Sequence, residues 1–278
     1  MKILLLGKNG LLGSAFLSLL TGRTGHELFA VDKDQLDVTD SESVENAFKN
    51  VMPELVINCT AYTDVDGAEN DREAAFELNA EVPGVLAGLC RSNGATLVQF
   101  STDYVFDGHI EEGYREDSPT SPINVYGESK LQGEQNVAED TGNFYIIRLS
   151  LLFGEARENF VDRVLKGAEK NRREIDVVDD YISCPTYTKD LAQGIMEIIV
   201  EPKMPFGIYH MSNLGHASRW ALAKEIINMK DLKTRVMPAP ADRFPTPAQR
   251  PHSSILINTK TKSLRNWQEA LKVYIDLK

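Results

Sequence analysis

The chain has 278 residues, of which 42% are hydrophobic, enough for a substantial core in one large domain or two smaller ones. Its net charge of -11 argues against nucleic acid or an anionic membrane surface as the main ligand. The three cysteines, Cys59, Cys90 and Cys184, are odd in number and lack CxxC spacing, so we expect no disulfide framework or thiolate metal site, and a cytoplasmic protein.

Short apolar runs alternate with amphipathic stretches through the first half of the chain. The apolar runs predict strands at residues 2–6, 27–31, 55–59, 96–100 and 144–149. The stretches between them predict helices at residues 11–20, 41–50, 69–93 and 124–141. Strands this continuously apolar suit a sheet that is buried on both faces. We therefore predict an α/β fold with a Rossmann-like, doubly wound parallel sheet.

The regular alternation weakens after Leu149, where prolines separate shorter elements and an irregular loop at residues 238–247. We predict a dinucleotide-binding domain over residues 1–149. Residues 150–278 are predicted to form mainly a smaller, interleaved substrate-binding lobe. Within them, a segment at about 186–211 is expected to return to the sheet, with a helix at 190–200 and a strand at 207–211.

Three glycines, Gly7, Gly10 and Gly13, follow the first predicted strand and open the first predicted helix. Glycines there allow a tight turn and let a pyrophosphate approach the helix N-terminus, where free N–H groups and the helix dipole favour anions. This context favours a dinucleotide site over a merely structural turn.

Asp32 ends the second strand, and its carboxylate could bind the adenosine ribose of NADH. The adjacent Lys33 could instead pair with the 2′-phosphate of NADPH, so both cofactors stay open.

Tyr126 and Lys130 are four residues apart in a predicted helix and therefore lie on one face of it. A nearby ammonium favours the phenolate, so such a pair could exchange a proton with a substrate near neutral pH. The pattern alone is more often a solvated helix face. It follows a strand that ends near Ser101 and Thr102, however, and ligands bind at that edge of such sheets.

Several longer motifs carry a specific resemblance. They are GKNGLLG at residues 7–13, NCTAYTDVDGAE at 58–69, STDYVFDG at 101–108, PINVYGESKLQGE at 122–134, CPTYTKDLA at 184–192 and RPHSSILINT at 250–259. Together they resemble the dTDP-4-dehydrorhamnose reductases, which belong to the extended short-chain dehydrogenase/reductase superfamily. The similarity extends from end to end of the chain, and the combination is more specific than any single motif.

The resemblance implies reduction of a 4-keto carbon in a nucleotide-linked 6-deoxyhexose, with NADH or NADPH as hydride donor and Tyr126 as proton donor. Lys130 would lower the tyrosine pKa and hold the nicotinamide ribose, while Thr102 would orient the substrate. Further cofactor contacts are implied at Gly10, Leu11, Leu12, Asp37, Val38, Thr60, Ala61, Tyr62 and Phe100. Substrate contacts are implied at Asp103 and at Arg250, whose guanidinium can hold a diphosphate in a bidentate way.

One position departs from the family pattern, and this affects the expected sugar. Where the family commonly has a substrate-facing tryptophan, this chain has Leu151, so a related 4-keto sugar nucleotide is also plausible. The histidines show no ligand spacing, and we predict no catalytic metal. A homodimer would follow only from the analogy.

Two alternatives stay open at this point. Sugar-nucleotide dehydratases and epimerases share the glycines and the Tyr/Lys pair, but Tyr104 stands where a dehydratase needs an additional acid. A non-catalytic protein, similar to the regulatory subunit of methionine adenosyltransferase, could bind a nucleotide with the same residues. Retention of Thr102, Tyr126 and Lys130 favours the enzyme.

Overall fold

The computed structural model describes residues 1–169, 173–200 and 204–278. Its strands are β1 (Lys2–Leu6), β2 (Glu27–Val31), β3 (Leu55–Asn58), β4 (Thr96–Thr102), β5 (Phe144–Leu149), β6 (Leu152–Phe153), β7 (Glu174–Val178), β8 (Ile182–Ser183), β9 (Thr186–Tyr187), β10 (Gly207–His210), β11 (Ala217–Ser218) and β12 (Arg235–Ala239). Its α-helices are α1 (Leu11–Leu20), α2 (Ser41–Val51), α3 (Val65–Asn70), α4 (Arg72–Phe76), α5 (Val82–Asn93), α6 (Val125–Asp140), α7 (Phe160–Glu169), α8 (Thr188–Val200), α9 (Arg219–Met229) and α10 (Trp267–Asp276).

A six-stranded sheet in the order β10-β5-β4-β3-β1-β2 forms the centre of the fold, and all its pairings are parallel. Because β2 and β3 flank β1 on opposite sides, the winding reverses at β1, and a crevice opens there beyond the carboxyl ends of the strands. The predicted doubly wound α/β fold is confirmed.

Apolar cores cover both faces of the sheet, which explains why its strands are apolar along their whole length. On one face, Phe16 of α1 and Ile195 of α8 are fully buried against the strands. On the other, Phe48 of α2, Leu86 of α5 and Val137 of α6 are buried. The helix α6 that carries the Tyr/Lys pair is thus fixed to the sheet by its own apolar side.

The predicted single helix at residues 69–93 is wrong only at its start. The structure ends α3 at Asn70, and a second helical run follows from Arg72 to Asn93 through α4, a π-helical turn at Glu77–Glu81 and α5. The break falls at Asp71, whose backbone leaves the helical region and whose carboxylate accepts a hydrogen bond from the Ala74 N–H. An aspartate that caps the next helix in this way competes with continuation of the previous one.

The part of the chain after β5 contributes both to the sheet and to a second core. β10 adds a sixth strand beside β5, and α8 packs on the sheet. The second core includes Phe153, Leu222 and Tyr274, and helices α7, α9 and α10 surround it. The division at residue 149 stays a prediction. None of the described helices is long and apolar enough to cross a membrane.

The predicted irregular loop at residues 238–247 is partly regular. Its first two residues belong to β12, which pairs in parallel with β7. A 3₁₀ turn follows at Ala241–Arg243. A proline can occupy β12 because this pair has only two strands, so one edge needs no ladder hydrogen bond.

Candidate active site

The glycine turn after β1 is a close backbone approach that side chains would block. Gly7 has a φ of 77°, in the left-handed region that favours glycine. A Cβ at position 13 would lie 2.0 Å from the Gly7 carbonyl oxygen. No side chain caps α1, so the N–H groups of its first turn are available to an anion. These features fit the pyrophosphate of a dinucleotide.

Asp32 fastens this turn to the end of β2. One carboxylate oxygen accepts a hydrogen bond from the Asn9 N–H at 2.8 Å, and the other accepts one from the Lys33 N–H at 2.7 Å. The side chain of Lys33 is exposed and makes no hydrogen bond to the described part of the chain. An acceptor and an uncommitted cation therefore stand side by side at this end of the crevice.

A cleft of about 920 Å³ runs from the glycine turn to the Tyr/Lys pair. The predicted site residues that line it are Gly7, Gly10, Leu11, Leu12, Asp32, Asp37, Val38, Thr60, Ala61, Tyr62, Phe100, Thr102, Asp103, Tyr126, Lys130 and Leu151. Two predicted residues do not line this cleft. Gly13 lies against the Gly7 carbonyl, and Arg250 faces a second cavity.

The start of α6 is held tightly beside the end of β4. The Asn124 side-chain oxygen accepts a hydrogen bond from the Gly127 N–H at 2.7 Å and caps the helix. The Asn124 amide also donates to the Gln249 carbonyl oxygen at 2.7 Å. A Cβ at position 127 would lie 2.2 Å from the Tyr104 carbonyl oxygen. Glycine at this position therefore lets Tyr126 approach the strand ends.

Tyr126 lies at the floor of the cleft, next to Thr102 and Tyr104. Desolvation raises the pKa of the Tyr126 phenol, and a hydrogen bond with Thr102 opposes this effect only in part. The expectation of a lowered pKa is wrong for the protein without ligands, because burial of the phenol outweighs the interaction that lowers its pKa. The phenol is therefore protonated at neutral pH, as a proton donor must be.

Lys130 is a buried cation without a direct partner. Its side chain is 4% exposed, and it forms no hydrogen bond or ion pair with any residue that the structure describes. Burial lowers its pKa to about 8, while the charge of Glu134 acts in the opposite direction. An uncommitted buried ammonium at the end of the cleft fits the hydroxyl groups of a ribose.

Asp103 occupies the junction of the cleft and the second cavity. Its carboxylate accepts hydrogen bonds from the hydroxyl groups of Thr102 at 3.1 Å, Ser150 at 2.7 Å and Ser254 at 2.5 Å. Burial raises its pKa, and the hydroxyl groups oppose that shift. Asp103 thus shapes the site as the centre of a hydroxyl cluster. Its contact with a substrate stays a prediction.

The second cavity has a volume of about 370 Å³ and adjoins the cleft. Six side chains line both spaces: Asp103, Tyr104, Leu151, Phe160, Arg163 and Arg219. Leu151 has a φ of 38°, an unusual conformation for leucine, and its carbonyl oxygen accepts a hydrogen bond from the Thr186 N–H at 2.9 Å. The family's tryptophan position therefore lies on the shared wall.

Three arginines line the second cavity, and they differ in their partners. Arg250 forms two hydrogen bonds with Asp66, at 3.0 and 2.7 Å, so its guanidinium is already paired with a carboxylate. Arg219 packs its guanidinium over the Phe160 ring at 5.0 Å. Neither Arg219 nor Arg163 forms an ion pair with a described residue. The predicted diphosphate role of Arg250 stays a prediction.

Sequence reasoning missed Arg163 and Arg219. Each is an isolated arginine, one inside α7 and one at the start of α9, and no motif marks it. Their convergence depends on how these helices pack against each other, which no local pattern reports. Among the described residues, no three His, Cys, Asp or Glu side chains are grouped so that they could hold a metal ion.

The winding of the sheet, the glycine turn at the reversal of strand order and the tyrosine on α6 place this chain among the oxidoreductases of the short-chain dehydrogenase/reductase type. A family model supports a narrower assignment. The model of the family described as RmlD substrate binding domain matches residues 1–278. The chain belongs to that family.

Individual relatives agree with this assignment over more than nine-tenths of their length. A dTDP-4-dehydrorhamnose reductase of Streptomyces griseus is 39% identical over 280 residues, which cover 96% of this chain and 91% of the relative. A probable dTDP-4,6-dihydroxy-2-methyloxan-3-one 4-ketoreductase of Streptomyces antibioticus is 38% identical over 279 residues, which cover 98% of this chain and 94% of the relative. The crystal structure of a Bacillus anthracis dTDP-4-dehydrorhamnose reductase in complex with NADP is 35% identical, covers 100% of this chain and 99% of its own, and has a TM-score of 0.95.

Proposed function

We propose that the chain reduces the 4-keto group of a dTDP-linked deoxyhexose, and specifically converts dTDP-4-dehydro-L-rhamnose into dTDP-L-rhamnose. The observation that carries this proposal is the protonated Tyr126 phenol in the cleft that begins at the glycine turn, beside Tyr104, which also lines a cavity with two arginines that form no ion pair with a described residue. The name of the Streptomyces griseus relative supports the specific sugar.

The proposed cofactor is NADPH or NADH, which supplies the hydride. The glycine turn would accept the pyrophosphate, and Lys130 would hold the nicotinamide ribose. Asp32 offers an acceptor to an unmodified adenosine ribose, whereas Lys33 offers a cation to a 2′-phosphate. Use of NADPH is supported by the NADP in the Bacillus anthracis structure.

In the proposed reaction, Tyr126 donates its proton to the oxygen of the former keto group as that oxygen gains negative charge. Thr102 lines the cleft beside the phenol, lowers its pKa and would keep it oriented. The Lys130 ammonium stabilises the phenolate that remains, because an opposite charge nearby favours the ionised form. Solvent then returns the proton to Tyr126.

The substrate diphosphate is assigned to Arg163 and Arg219. Charge-assisted hydrogen bonds from guanidinium to phosphate are strong and directional, and these two arginines form no ion pair with a described residue. They give an acidic protein of net charge -11 a local cationic wall for an anionic substrate.

Leu151 motivates a second candidate function. A leucine on the shared wall leaves more space than the family's tryptophan and gives the sugar no aromatic surface. The Streptomyces antibioticus relative carries the name of a 4-ketoreductase for a different dTDP-linked sugar. Reduction of another dTDP-linked 4-keto sugar is therefore the alternative.

A panel assay tests the proposal. The protein is incubated with dTDP-linked 4-keto deoxysugars plus NADPH or NADH, cofactor oxidation is followed, and the configuration of the product is determined by NMR. We expect the fastest turnover with dTDP-4-dehydro-L-rhamnose. Faster turnover of another sugar would select the alternative function. Folded protein that binds the cofactor but reduces no sugar would instead support a binding protein.

A further inference from the structure

Three buried polar side chains lie behind the catalytic pair: Ser101 of β4, Glu134 of α6 and Arg148 of β5. We call them the Glu134 clamp. The Ser101 hydroxyl donates to one Glu134 carboxylate oxygen at 2.5 Å. Arg148 donates to the same oxygen through Nε at 2.9 Å and to the other through Nη2 at 2.7 Å. Glu134 and Arg148 are each only 4% exposed.

The clamp joins the elements that carry the proposed catalytic groups. Glu134 lies one helical turn beyond Lys130 on α6, and Lys130 lies one turn beyond Tyr126. Ser101 directly precedes Thr102, which lines the cleft together with Tyr126 and lowers the pKa of its phenol. The clamp therefore fixes the α6 face that bears the ammonium against the strand that bears the threonine.

Stability alone is a weak reason for such a pair. Desolvation of two charges costs about as much as their attraction returns, and a buried ion pair can often be replaced by apolar residues without loss. A role in which the carboxylate charge itself is needed explains its burial better. The neighbouring Lys130 is the group on which that charge can act.

The geometry of the clamp separates Glu134 from Lys130. Both carboxylate oxygens are occupied by Ser101 and Arg148, and Glu134 forms no ion pair with Lys130. The carboxylate thus stabilises the ammonium through its field without binding it. Lys130 stays charged and its N–H donors stay available to a ligand.

Other charged groups on the elements around α6 are exposed, neutral or engaged elsewhere. Asp103 is held by three hydroxyl groups, and Glu77 of the π-helical turn is exposed at the cleft. Behind Arg148, His210 has a pKa lowered to about 4 by burial and is neutral, and Thr259 binds the Glu116 carboxylate. The remaining pairs are Asp66 with Arg250, Arg72 with Glu128, and Arg91 with Asp140.

We propose that Glu134, held in place by Ser101 and Arg148, is a positioning residue that keeps the Lys130 ammonium charged and unpaired for the nicotinamide cofactor. This inference rests on the function proposed above. Glu134 touches neither cofactor nor substrate in this role, and acts only through Lys130.

The pH dependence of NADPH affinity gives a direct test. Lys130, with a pKa of about 8, is charged below that pH and loses its charge above it, so wild-type affinity should fall as the pH rises through about 8. Tyr126 does not contribute in this range because its pKa is raised. In Glu134→Gln the fall should occur about one pH unit lower, since the favourable charge is lost and Arg148 is left uncompensated.

Two control variants separate charge from structure. Glu134→Asp keeps the carboxylate, so its NADPH affinity should fall at nearly the same pH as that of the wild type. We call the pH at which the affinity falls the midpoint. Ser101→Ala removes one hydrogen bond and keeps both charges, so the midpoint should again stay near the wild-type value, although the protein should be less stable. If either variant shifted the midpoint as far as Glu134→Gln, a structural role would explain the result and overturn the proposal.

Arg148→Met should have the opposite effect on the midpoint. Without Arg148 the carboxylate is able to turn toward Lys130 and pair with it, so the fall in affinity should move to higher pH. At neutral pH the affinity should also decrease, because the ammonium is then captured by Glu134. If the site were only loosened, the midpoints of Glu134→Gln and Arg148→Met would move in the same direction. That result would contradict the proposal.

A double variant covers the case in which a single substitution prevents folding. Glu134→Gln with Arg148→Met removes both buried charges, a change that is often tolerated. Its midpoint should lie below the wild-type value and, where the single variant folds, above that of Glu134→Gln. Identical midpoints in all folded variants would reject the clamp's role. Absence of NADPH binding by the folded wild type would instead reject the proposed function.

Discussion

The glycine turn and the second cavity are built in contrasting ways. The turn is made of backbone groups from one β-α unit. It can form because its glycines carry no side chain that would block the close approach of the backbone. The second cavity is made of side chains from α7, β7, α9 and the segment around Arg250. A turn of this kind has few acceptable sequences, whereas the cavity can change one side chain at a time. Cofactor binding should therefore tolerate less variation than sugar recognition.

The largest effect is expected at Tyr126, which lines the cleft and contacts Tyr104 on the wall of the second cavity. Tyr126→Phe removes the transferable proton and keeps the ring, so kcat should fall by about 10² to 10⁴-fold while NADPH affinity is retained. Steady-state kinetics and calorimetry measure the two quantities. Tyr104→Phe is a matched control because its ring contacts the Tyr126 ring, at a centroid distance of 5.9 Å. An equal loss of kcat in both variants would contradict the assignment of Tyr126.

The arginines of the second cavity offer the next largest effect. Arg219→Ala should raise the KM for the sugar nucleotide by about ten- to a hundredfold, since a charge-assisted hydrogen bond contributes about 1.5–3 kcal/mol. NADPH affinity should change much less. Arg250→Lys should raise KM less than Arg219→Ala, because the Arg250 guanidinium is already bound to Asp66. The reverse order would make Arg250 the main phosphate ligand.

The glycine turn can be tested by adding single methyl groups. Gly13→Ala places a Cβ against the Gly7 carbonyl, and overpacking of this kind should lower the free energy of unfolding by about 1–3 kcal/mol and weaken NADPH binding. Gly88→Ala, inside α5 with no atom near the added Cβ, should raise that free energy by about 0.5–1 kcal/mol. Denaturant unfolding compares them. Equal effects would show that the approach at Gly13 is not tight.

The smallest effect concerns the choice between the two cofactors. Asp32→Ala should weaken the binding of NADH by roughly tenfold or less, which corresponds to about 0.5–1.5 kcal/mol, the value of an ordinary hydrogen bond, and should weaken the binding of NADPH still less. Calorimetry with both cofactors measures the difference. Because Asp32 also accepts hydrogen bonds from the backbone of Asn9 and Lys33, part of the loss of affinity should be the same for NADH and NADPH. A loss that is wholly common would remove Asp32 from ribose recognition.

The sheet could be predicted because its signals are local. The predicted strands agree with β1 to β5 within two residues at each end, since continuous apolar runs report burial on both faces. The break at Asp71 was missed because the surrounding residues keep a helical pattern and a single capping side chain ends the helix. Local pattern thus gives the kind of element more reliably than its ends.

Prediction of the site was more successful for residues near the strand ends than for residues of the second cavity. Sixteen predicted positions line one cleft because the motifs that contain them follow parallel strands, whose carboxyl ends meet at one edge. The partner of Arg250 is distant in sequence, and nothing local indicates Asp66. The pKa of Tyr126 was predicted in the wrong direction because burial depends on the assembled cleft.

The wall that the two cavities share has a consequence for the order of events in catalysis. Leu151, Phe160 and Arg219 face both spaces, so the first ligand to bind completes part of the surface that receives the second. Hydride and proton must then move within a ternary complex, and double-reciprocal plots of initial rates should intersect. An oxidised cofactor that stays in the cleft would also hold a new sugar nucleotide in a dead-end complex, which would appear as substrate inhibition at high concentration.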